Sequence, residues 1–285
     1  MISIVVTSYN QRAFIADAIG SALRQTRPPA EVVVVDDGST DDSWQLIRAY
    51  GDSLVSIARA NGGQAAAWNT AAAVTTGEWV IFLDGDDRLS PHAVEAVEEA
   101  VSGVTGAAKV HWRMRLVNEQ GTPLGIEVPD TDLPRGDRLP ELVEYGFDRG
   151  PNLATSANAW HTDFLSTVLP MPEEPFRISP DTYLLGLSPL YGITIAIDEV
   201  CSDYRSHEGN NGAKGSARFR AREIVRRSAF VFDLVGKELT ERGHRVDVGR
   251  WKTANLFYAE SVRIAEERRY ARSELRNSGK AVEHG

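Results

Sequence analysis

Short runs of apolar, mostly β-branched residues alternate with amphipathic segments in the first part of the chain. Runs of this kind predict strands at 2–7, 31–35, 54–58 and 79–83, and those at 31–35 and 79–83 are expected to be buried on both faces. The segments between them have apolar residues at helical spacing or a high alanine content, and they predict helices. The order β-α-β-α-β-α-β implies right-handed crossovers. It predicts an α/β fold with a mostly parallel central sheet and helices on both faces.

The pattern weakens further along the chain, where proline-rich loops separate the elements. Ser39 or Thr40 is expected to cap the helix that follows the second strand. The later elements are predicted as helices at 90–102, 181–187, beyond 215 and at 248–276, and as strands at 109–117, near 126 and at 192–197. The chain then divides into three parts, 1–105, 106–212 and a helical C-terminal extension at 213–285.

Polar residues cluster where three of the predicted strands end. The chain has Ser-Tyr-Asn at 8–10, Asp-Asp-Gly at 36–38 and Asp-Gly-Asp-Asp at 84–87. In parallel α/β sheets, ligands bind beyond the carboxyl ends of the strands. Because these ends share one edge of the sheet, we expect the three groups to converge on one site.

The three carboxylates after the fourth strand suggest a metal site. If the chain stays extended, Asp84 and Asp86 point to one side and Asp87 points elsewhere. Like charges at the end of a buried strand repel one another, so a cation or water must compensate them. Oxygen ligands without a nearby Cys or His suit Mg²⁺ or Mn²⁺. Gly85 would let a bulky ligand approach the backbone, and the alternative interpretation is a polar turn before the helix near Ser90.

Composition excludes several classes of protein. The net charge of −9 argues against general nucleic-acid binding, which needs a basic surface. One cysteine, Cys201, rules out an internal disulfide and a cysteine-based zinc site, and it fits a reducing cytoplasm. No apolar run approaches the roughly 20 residues of a membrane span, and Met1 is not followed by a signal-peptide pattern. We therefore expect a cytoplasmic protein.

The glycine-rich fingerprints of other nucleotide sites are missing. The sequence contains no Gly-x-Gly-x-x-Gly after the first strand and no Gly-x-x-x-x-Gly-Lys-Ser/Thr, which argues against dehydrogenases and P-loop proteins. The edge of the sheet offers carboxylates instead, so bound phosphates would have to be bridged by a metal ion. A metal-held diphosphate with a second carboxylate as base is the chemistry of sugar transfer.

The chain resembles family 2 glycosyltransferases, which have the GT-A fold. The matching segments span roughly residues 2 to 210, and those at the N-terminus are the more specific: Val6-Thr7-Ser8-Tyr9-Asn10, Val35-Asp36-Asp37-Gly38-Ser39-Thr40-Asp41, Asn61-Gly62-Gly63, Ala67-Trp68-Asn69, Gly77 to Asp87, Asp181 and Tyr204-Arg205-Ser206-His207. By this resemblance, residues 1–105 would bind the nucleotide sugar and residues 106–212 the acceptor.

The resemblance implies roles for the acidic residues. Asp36 or Asp37 would accept a hydrogen bond from the nucleobase, most readily a uracil imide N–H, although a turn leading into a helix also explains the pair. Asp86 would bind a Mn²⁺ or Mg²⁺ ion that bridges the diphosphate of the donor. Asp84 would hold ribose or sugar hydroxyls and the waters of the metal.

Further donor contacts are implied at Thr7, Tyr9, Asn61, Gly63, Asn69, Gly85 and Arg205. A turn residue and a helix residue explain Asn61 and Asn69 about equally well. Trp68 stands where many relatives have Arg, so one polar contact to the donor is absent or replaced. His207 is assigned to the metal, with a surface histidine as the alternative, and the loop at 209–215 would close over the donor.

Asp181 is the candidate general base. It follows the proline-rich segment and precedes an apolar helix, which is where the family places its acidic base. There it would take the proton of the acceptor hydroxyl as that oxygen attacks the anomeric carbon, and the configuration would invert. The alternative is a helix N-cap after Pro180.

The expected function is therefore transfer of a sugar from a nucleotide sugar, most readily a UDP-sugar, to a saccharide or lipid-linked acceptor. A sugar-nucleotide nucleotidyltransferase and a non-catalytic nucleotide-sugar-binding protein stay open as alternatives. The C-terminal helices could meet anionic lipid at the inner face of the membrane, form a homodimer or present a solvated face, because they carry the basic residues Arg218, Arg220, Arg222, Arg226 and Arg227.

Overall fold

The computed structural model describes residues 1–147, 153–210, 216–255 and 258–264. Its strands are β1 (Ile2–Ser8), β2 (Glu31–Asp36), β3 (Val55–Ala58), β4 (Trp79–Asp84), β5 (Arg88–Leu89), β6 (Ala107–Val117), β7 (Pro123–Val128), β8 (Asn158–His161) and β9 (Ile193–Arg205). Its helices are α1 (Ile15–Leu23), α2 (Ser43–Arg48), α3 (Gln64–Ala72), α4 (Ala93–Val101), α5 (Leu139–Tyr145), α6 (Thr162–Val168), α7 (Asp181–Leu187), α8 (Ala217–Glu241) and α9 (Val248–Ala254).

The described strands form one sheet with a parallel half and a mixed half. Its order is β3-β2-β1-β4-β8-β6-β9-β5, and β7 pairs with β6 as a hairpin at the side. Strands β3, β2, β1 and β4 are parallel, as the sequence predicts. Beyond them, β8 runs antiparallel to both β4 and β6, whereas β6 and β9 are parallel. The predicted α/β fold is confirmed, and the reversal at β8 makes its second half mixed.

Successive side chains of the central strands point to opposite faces of the sheet and pack into two apolar cores, one on each face. Ile4 and Val6 of β1 pack with α1 and α4 on one face. Val5, between them, packs with α3, α6, α7 and α8 on the other face. Trp68 belongs to this second core, where its ring stacks on Phe82 at a centroid distance of 4.0 Å. Strands β1, β2 and β4 are therefore buried on both faces, which explains their continuous apolar sequence, whereas β3 at the edge of the sheet is mostly exposed.

Several expectations about individual elements need correction. The residue before α2 is Asp42, and neither Ser39 nor Thr40 caps that helix. Strand β9 is longer than the predicted 192–197, and α5, α6 and β8 have no clear sequence pattern. The predicted helix at 248–276 appears as α9 and a helical segment at 258–264, and its remainder lies outside the described residues. No helix in the described ranges is both long and apolar enough to span a membrane.

Candidate active site

The carboxyl ends of β1, β2 and β4 meet at one edge of the sheet. Strand pairing places Thr7 beside Asp84 and Ser8 beside Asp36. Tyr9 follows at the open end of β1, with 47% of its surface exposed. The predicted convergence of the three polar groups is therefore confirmed, because it follows directly from the register of the parallel strands.

Asp37 organises the loop that precedes α3. Its Oδ1 accepts the backbone N–H of Gly62 at 3.0 Å and also bonds with the guanidinium of Arg59. Its Oδ2 accepts the backbone N–H of Gly63 at 2.7 Å and the side-chain amide of Asn61 at 3.1 Å. The carboxylate is buried and four donors occupy it, which is about its full accepting capacity. Asn61 and Gly63 are thus fixed by Asp37.

Asp36 is engaged less completely than Asp37. Its two oxygens accept the N–H of Ser39 at 3.0 Å and the hydroxyl of Ser39 at 2.5 Å. This contact is the reason that Ser39 does not cap the following helix. Asn10 ties the same loop to the end of β1, since its side chain accepts the N–H of Thr40 at 2.7 Å. Asp36 keeps lone pairs for a further donor, whereas Asp37 does not.

Asp84, Asp86 and Asp87 form an acidic cluster at the end of β4. One oxygen from each lies within 4.8 Å of the others. The chain turns here, because the N–H of Asp87 donates to the carbonyl of Asp84 at 3.0 Å. The expectation that Asp87 points elsewhere is therefore wrong, since it assumed an extended chain.

Neighbouring side chains orient the acidic cluster without neutralising it. Gln64 donates to Oδ1 of Asp84 at 2.5 Å, and Gln11 donates to Oδ2 of Asp86 at 3.2 Å. Oδ1 of Asp87 accepts the backbone N–H of Arg205 at 2.9 Å. Oδ2 of Asp87 is buried and has no hydrogen-bond partner among the described residues.

The electrostatics of the cluster favour a bound cation. Burial and the charges of Asp86 and Asp87 hold the pKa of Asp84 well above its usual range. Burial and the charge of Asp86 raise the pKa of Asp87 to about 8. All three candidate ligands are carboxylate oxygens, which Mg²⁺ and Mn²⁺ prefer. The residues therefore fit a hard divalent ion, which would also satisfy the unpartnered oxygen of Asp87.

His207 extends this cluster on one side. Its Nε2 lies 3.0 Å from Oδ2 of Asp86, and the imidazole packs against Phe14 at a centroid distance of 4.5 Å. The surface-histidine alternative is wrong, because its side chain is mostly buried. Residues 211–215 of the expected closing loop lie outside the described residues.

Arg205 is held inside the protein, so the expectation that it contacts the donor is corrected. Its side chain is 2% exposed and lies over the ring of Phe14. Its Nε donates to the carbonyl of Asp86, its Nη1 to that of Glu119 and its Nη2 to the carboxylate of Asp17. Arg205 thus positions the acidic turn from behind.

Gly85 and Asn69 also make contacts within the protein. A Cβ atom on Gly85 would lie 2.8 Å from the carbonyl oxygen of Thr7, so the glycine allows close packing of β4 on β1. The expectation that Gly85 also lets a ligand approach the backbone stays a prediction. Both ends of the Asn69 amide bond the backbone of Met171 at 2.9 Å, which fixes the proline-rich segment against α3.

Asp181 begins α7 and lines a cavity of about 610 Å³. Its Oδ1 accepts the N–H of Thr182 at 3.0 Å, and the N-cap position belongs to Pro180, so the N-cap alternative is wrong. Burial raises the pKa of Asp181 to about 6. A carboxylate with such a pKa is ionised at neutral pH and is a stronger base than an ordinary aspartate.

Sequence reasoning missed Gln64, Lys109 and His111. Gln64 joins the two halves of the site, since it donates to Asp84 and its carbonyl accepts the N–H of Ser179 at 3.3 Å. Lys109 and His111 line the same cavity as Asp181. The sequence signal available for Lys109 and His111 was the alternation of polar and apolar residues along β6.

Comparison with known proteins agrees with this geometry. Residues 3–144 match the family model "Glycosyl transferase family 2". An uncharacterized glycosyltransferase of Nostoc sp. is 31% identical over 217 residues, which cover 74% of this chain and 66% of that protein. The chain belongs to glycosyl transferase family 2. Uncharacterized glycosyltransferases of Rickettsia conorii, Rickettsia felis and Bacillus subtilis share 30%, 31% and 35% identity with this chain, and the matches cover 32%, 39% and 30% of their lengths.

Solved structures show the same GT-A fold. TarS of S. aureus, residues 1–349 in complex with UDP-GlcNAc, superposes with a TM-score of 0.64 at 20% identity, over 93% of this chain and 72% of that one. The mannosyltransferase PcManGT of Pyrobaculum calidifontis, in complex with GDP-Man and Mn²⁺, has a TM-score of 0.56 at 16% identity, over 99% and 79%. At these identities the likeness establishes the fold alone.

Proposed function

We propose that this family 2 protein is an inverting, metal-dependent glycosyltransferase that uses a nucleoside-diphosphate sugar, most readily a UDP-sugar. Its acceptor is a hydroxyl of a saccharide or a lipid-linked saccharide. The observation that carries the proposal is the proximity of the acidic cluster at the sheet edge to the cavity that contains Asp181. Gln64 links the two, because it bonds both Asp84 and the backbone of Ser179, which lines that cavity, and the charge of Asp181 acts on Asp84. The two features provide a place for the diphosphate and a base for the acceptor.

The donor site is assigned to the edge formed by β1, β2 and β4. Asp36 is our candidate for the uracil N–H, because Asp37 is already occupied by four donors. Asp84 and Asp86, with Asp87, would hold Mn²⁺ or Mg²⁺, which supplies positive charge to the diphosphate when it is bound. The complexes of two structural neighbours with UDP-GlcNAc and with GDP-Man and Mn²⁺ support this assignment.

Asp181 would carry the chemical step. It takes the proton of the acceptor hydroxyl while that oxygen forms a bond with the anomeric carbon. The bond between this carbon and the diphosphate oxygen breaks, and the nucleoside diphosphate leaves with the electron pair. One displacement inverts the anomeric configuration. The raised pKa of about 6 favours proton transfer and still leaves the base ionised at neutral pH.

A lipid-linked acceptor would bring a cytoplasmic protein to the inner face of the membrane. Arg226 of α8 pairs with Glu223 and Glu174, as expected for a solvated helix face. Peripheral membrane contact and a dimer through the C-terminal helices stay proposals. Flotation with vesicles that contain anionic lipid tests the first, and sedimentation equilibrium tests the second.

The transferase proposal is tested by incubating the protein with a panel of sugar nucleotides, Mn²⁺ and saccharide acceptors. We expect release of nucleoside diphosphate that depends on the acceptor and is lost in Asp86→Ala. Exchange of pyrophosphate would favour a nucleotidyltransferase. Tight nucleotide-sugar binding without turnover across the panel would favour a non-catalytic binding protein.

A further inference from the structure

The cavity that contains Asp181 has a basic inner wall. It lies between β6, α5, α7 and α8, and its volume of about 610 Å³ suits a small saccharide. A register irregularity of β6 around Arg113 helps to shape it. Lys109 and His111 line the cavity before this point, and Met114 lines it after, so the irregularity changes which positions face inward.

Lys109 is a buried basic residue, and Asp181 is the carboxylate whose charge acts on it. The residue is 6% exposed, and its ammonium lies 5.7 Å from the ring centroid of Trp160. It forms no ion pair with a carboxylate of the described residues. Burial and the nearby charge of Arg138 lower the pKa of Lys109 to about 7. An anion in the cavity would therefore stabilise the charged form.

Arg227 of α8 lines the same cavity and provides a second cation. Its Nε is buried and has no hydrogen-bond partner in the described part of the chain. Burial lowers the pKa of its guanidinium. The carboxylates that line the cavity do not balance the charges of Lys109 and Arg227. Glu141 is paired with Arg138, so Asp181 is the one lining carboxylate left for the two cations among the described residues.

His111 adds a hydrogen-bond acceptor beside Lys109. Its Nε2 donates to the carbonyl of Pro134 at 2.7 Å, so Nδ1 carries the lone pair. Nδ1 is buried and has no partner among the described residues. Burial and the charge of Lys109 hold the pKa of His111 well below its usual range, which keeps the ring neutral. A hydroxyl group can donate to this nitrogen.

We propose that the cavity selects an acceptor saccharide that carries an anionic group, either a carboxylate or a phosphate. Lys109 and Arg227 bind the anion, and a hydroxyl of the same sugar donates to Nδ1 of His111. These contacts orient another hydroxyl toward Asp181. The assignment of Asp181 as base rests on the proposed function, but the anion site rests on the cavity alone.

Binding of three monosaccharide probes to the full chain tests the inference. Glucuronate carries a carboxylate, glucose 6-phosphate carries a phosphate and glucose is neutral. We expect at least one anionic probe to bind about tenfold or more tightly than glucose by calorimetry, since hydrogen bonds to charged groups are worth this much. Lys109→Met should remove the preference. Lys237→Met, the same change at a lysine with 67% exposure, should keep it.

Each outcome decides the inference. Preference for glucuronate alone identifies a carboxylate site, and preference for glucose 6-phosphate alone identifies a phosphate site. Equal binding of all three probes, or an unchanged preference in Lys109→Met, overturns the proposal. Should Lys109→Met fail to fold, as judged by circular dichroism, Arg227→Gln replaces it with the same expectation.

The test is independent of turnover. If the protein prefers anionic probes but releases no nucleoside diphosphate, the anion site is supported and the transferase proposal is refuted. If it releases nucleoside diphosphate but shows no anion preference, the transferase proposal is supported and the anion site is refuted.

Discussion

His207 donates to Asp86 through Nε2, at 3.0 Å, because its other ring nitrogen is already an acceptor. Nδ1 of His207 accepts the backbone N–H of Gly209 at 3.1 Å, so the proton of the neutral ring lies on Nε2. In this arrangement the histidine orients the carboxylate of Asp86. To bind a metal through Nε2, the ring would have to change tautomer and give up the bond from Gly209.

The first prediction concerns metal affinity. His207→Gln should weaken Mn²⁺ binding by about 10- to 100-fold, as expected for loss of a group that orients a ligand. Calorimetric titration with Mn²⁺ measures this change. His92→Gln is the matched control, because His92 is well exposed and pairs only loosely with Glu199, at 3.7 Å. An unchanged affinity of His207→Gln for Mn²⁺ would mean that His207 does not contribute to metal binding.

The second prediction concerns the base. Asp181→Asn should lower kcat by about 10²- to 10⁴-fold, while the affinity for nucleotide sugar stays the same. Asp163→Asn, in the first turn of α6, is the matched control, since its side chain is 94% exposed. Rates of nucleoside diphosphate release and donor titrations give the two quantities. A parallel loss of donor affinity would indicate a binding role for Asp181 instead.

The third prediction concerns pH. The pKa of Asp181 is raised to about 6, and a general base must be deprotonated. Activity should therefore be low below pH 6, rise tenfold per pH unit as the carboxyl loses its proton, and level off above pH 7. Profiles of kcat/KM against pH at saturating Mn²⁺ test this. A profile that is flat from pH 5 to 7 contradicts the assignment.

The fourth prediction concerns the loop at 59–63. Asp37→Asn should lower the free energy of unfolding by about 3 kcal/mol, because Arg59 loses its charge partner and an amide N–H now faces backbone N–H groups. Urea unfolding measures the change. Asp52→Asn, at an exposed position, should have little effect. Equal midpoints for the two variants would mean that the network contributes little.

The fifth prediction concerns Trp68, in helix α3. Its ring is fully buried against Phe82 and its Nε1 has no partner in the described residues. Trp68→Arg should therefore destabilise the protein by more than about 4 kcal/mol, since it buries an unpaired charge. Trp68→Phe should cost much less. A Trp68→Arg variant that unfolds at the same urea concentration as Trp68→Phe would contradict the prediction.

The local sequence pattern was sufficient to predict the strands of the parallel half of the sheet. Strands β1, β2 and β4 are buried on both faces and read as continuous apolar runs, so both their positions and the polar residues at their ends could be predicted. Strand β8 could not, because its short sequence gains its strand conformation from pairing with β4 and β6 on either side.

The roles of single site residues depended on contacts that no local pattern encodes. Asp87 joins the acidic cluster because the chain turns after Asp84, and Arg205 is withdrawn from the donor side by Asp17, far away in the sequence. The family motif by itself determined which carboxylates gather at the sheet edge. Only the tertiary structure decided that Lys109 and Asp181 share one cavity, because burial and charge pairing arise when distant segments pack together.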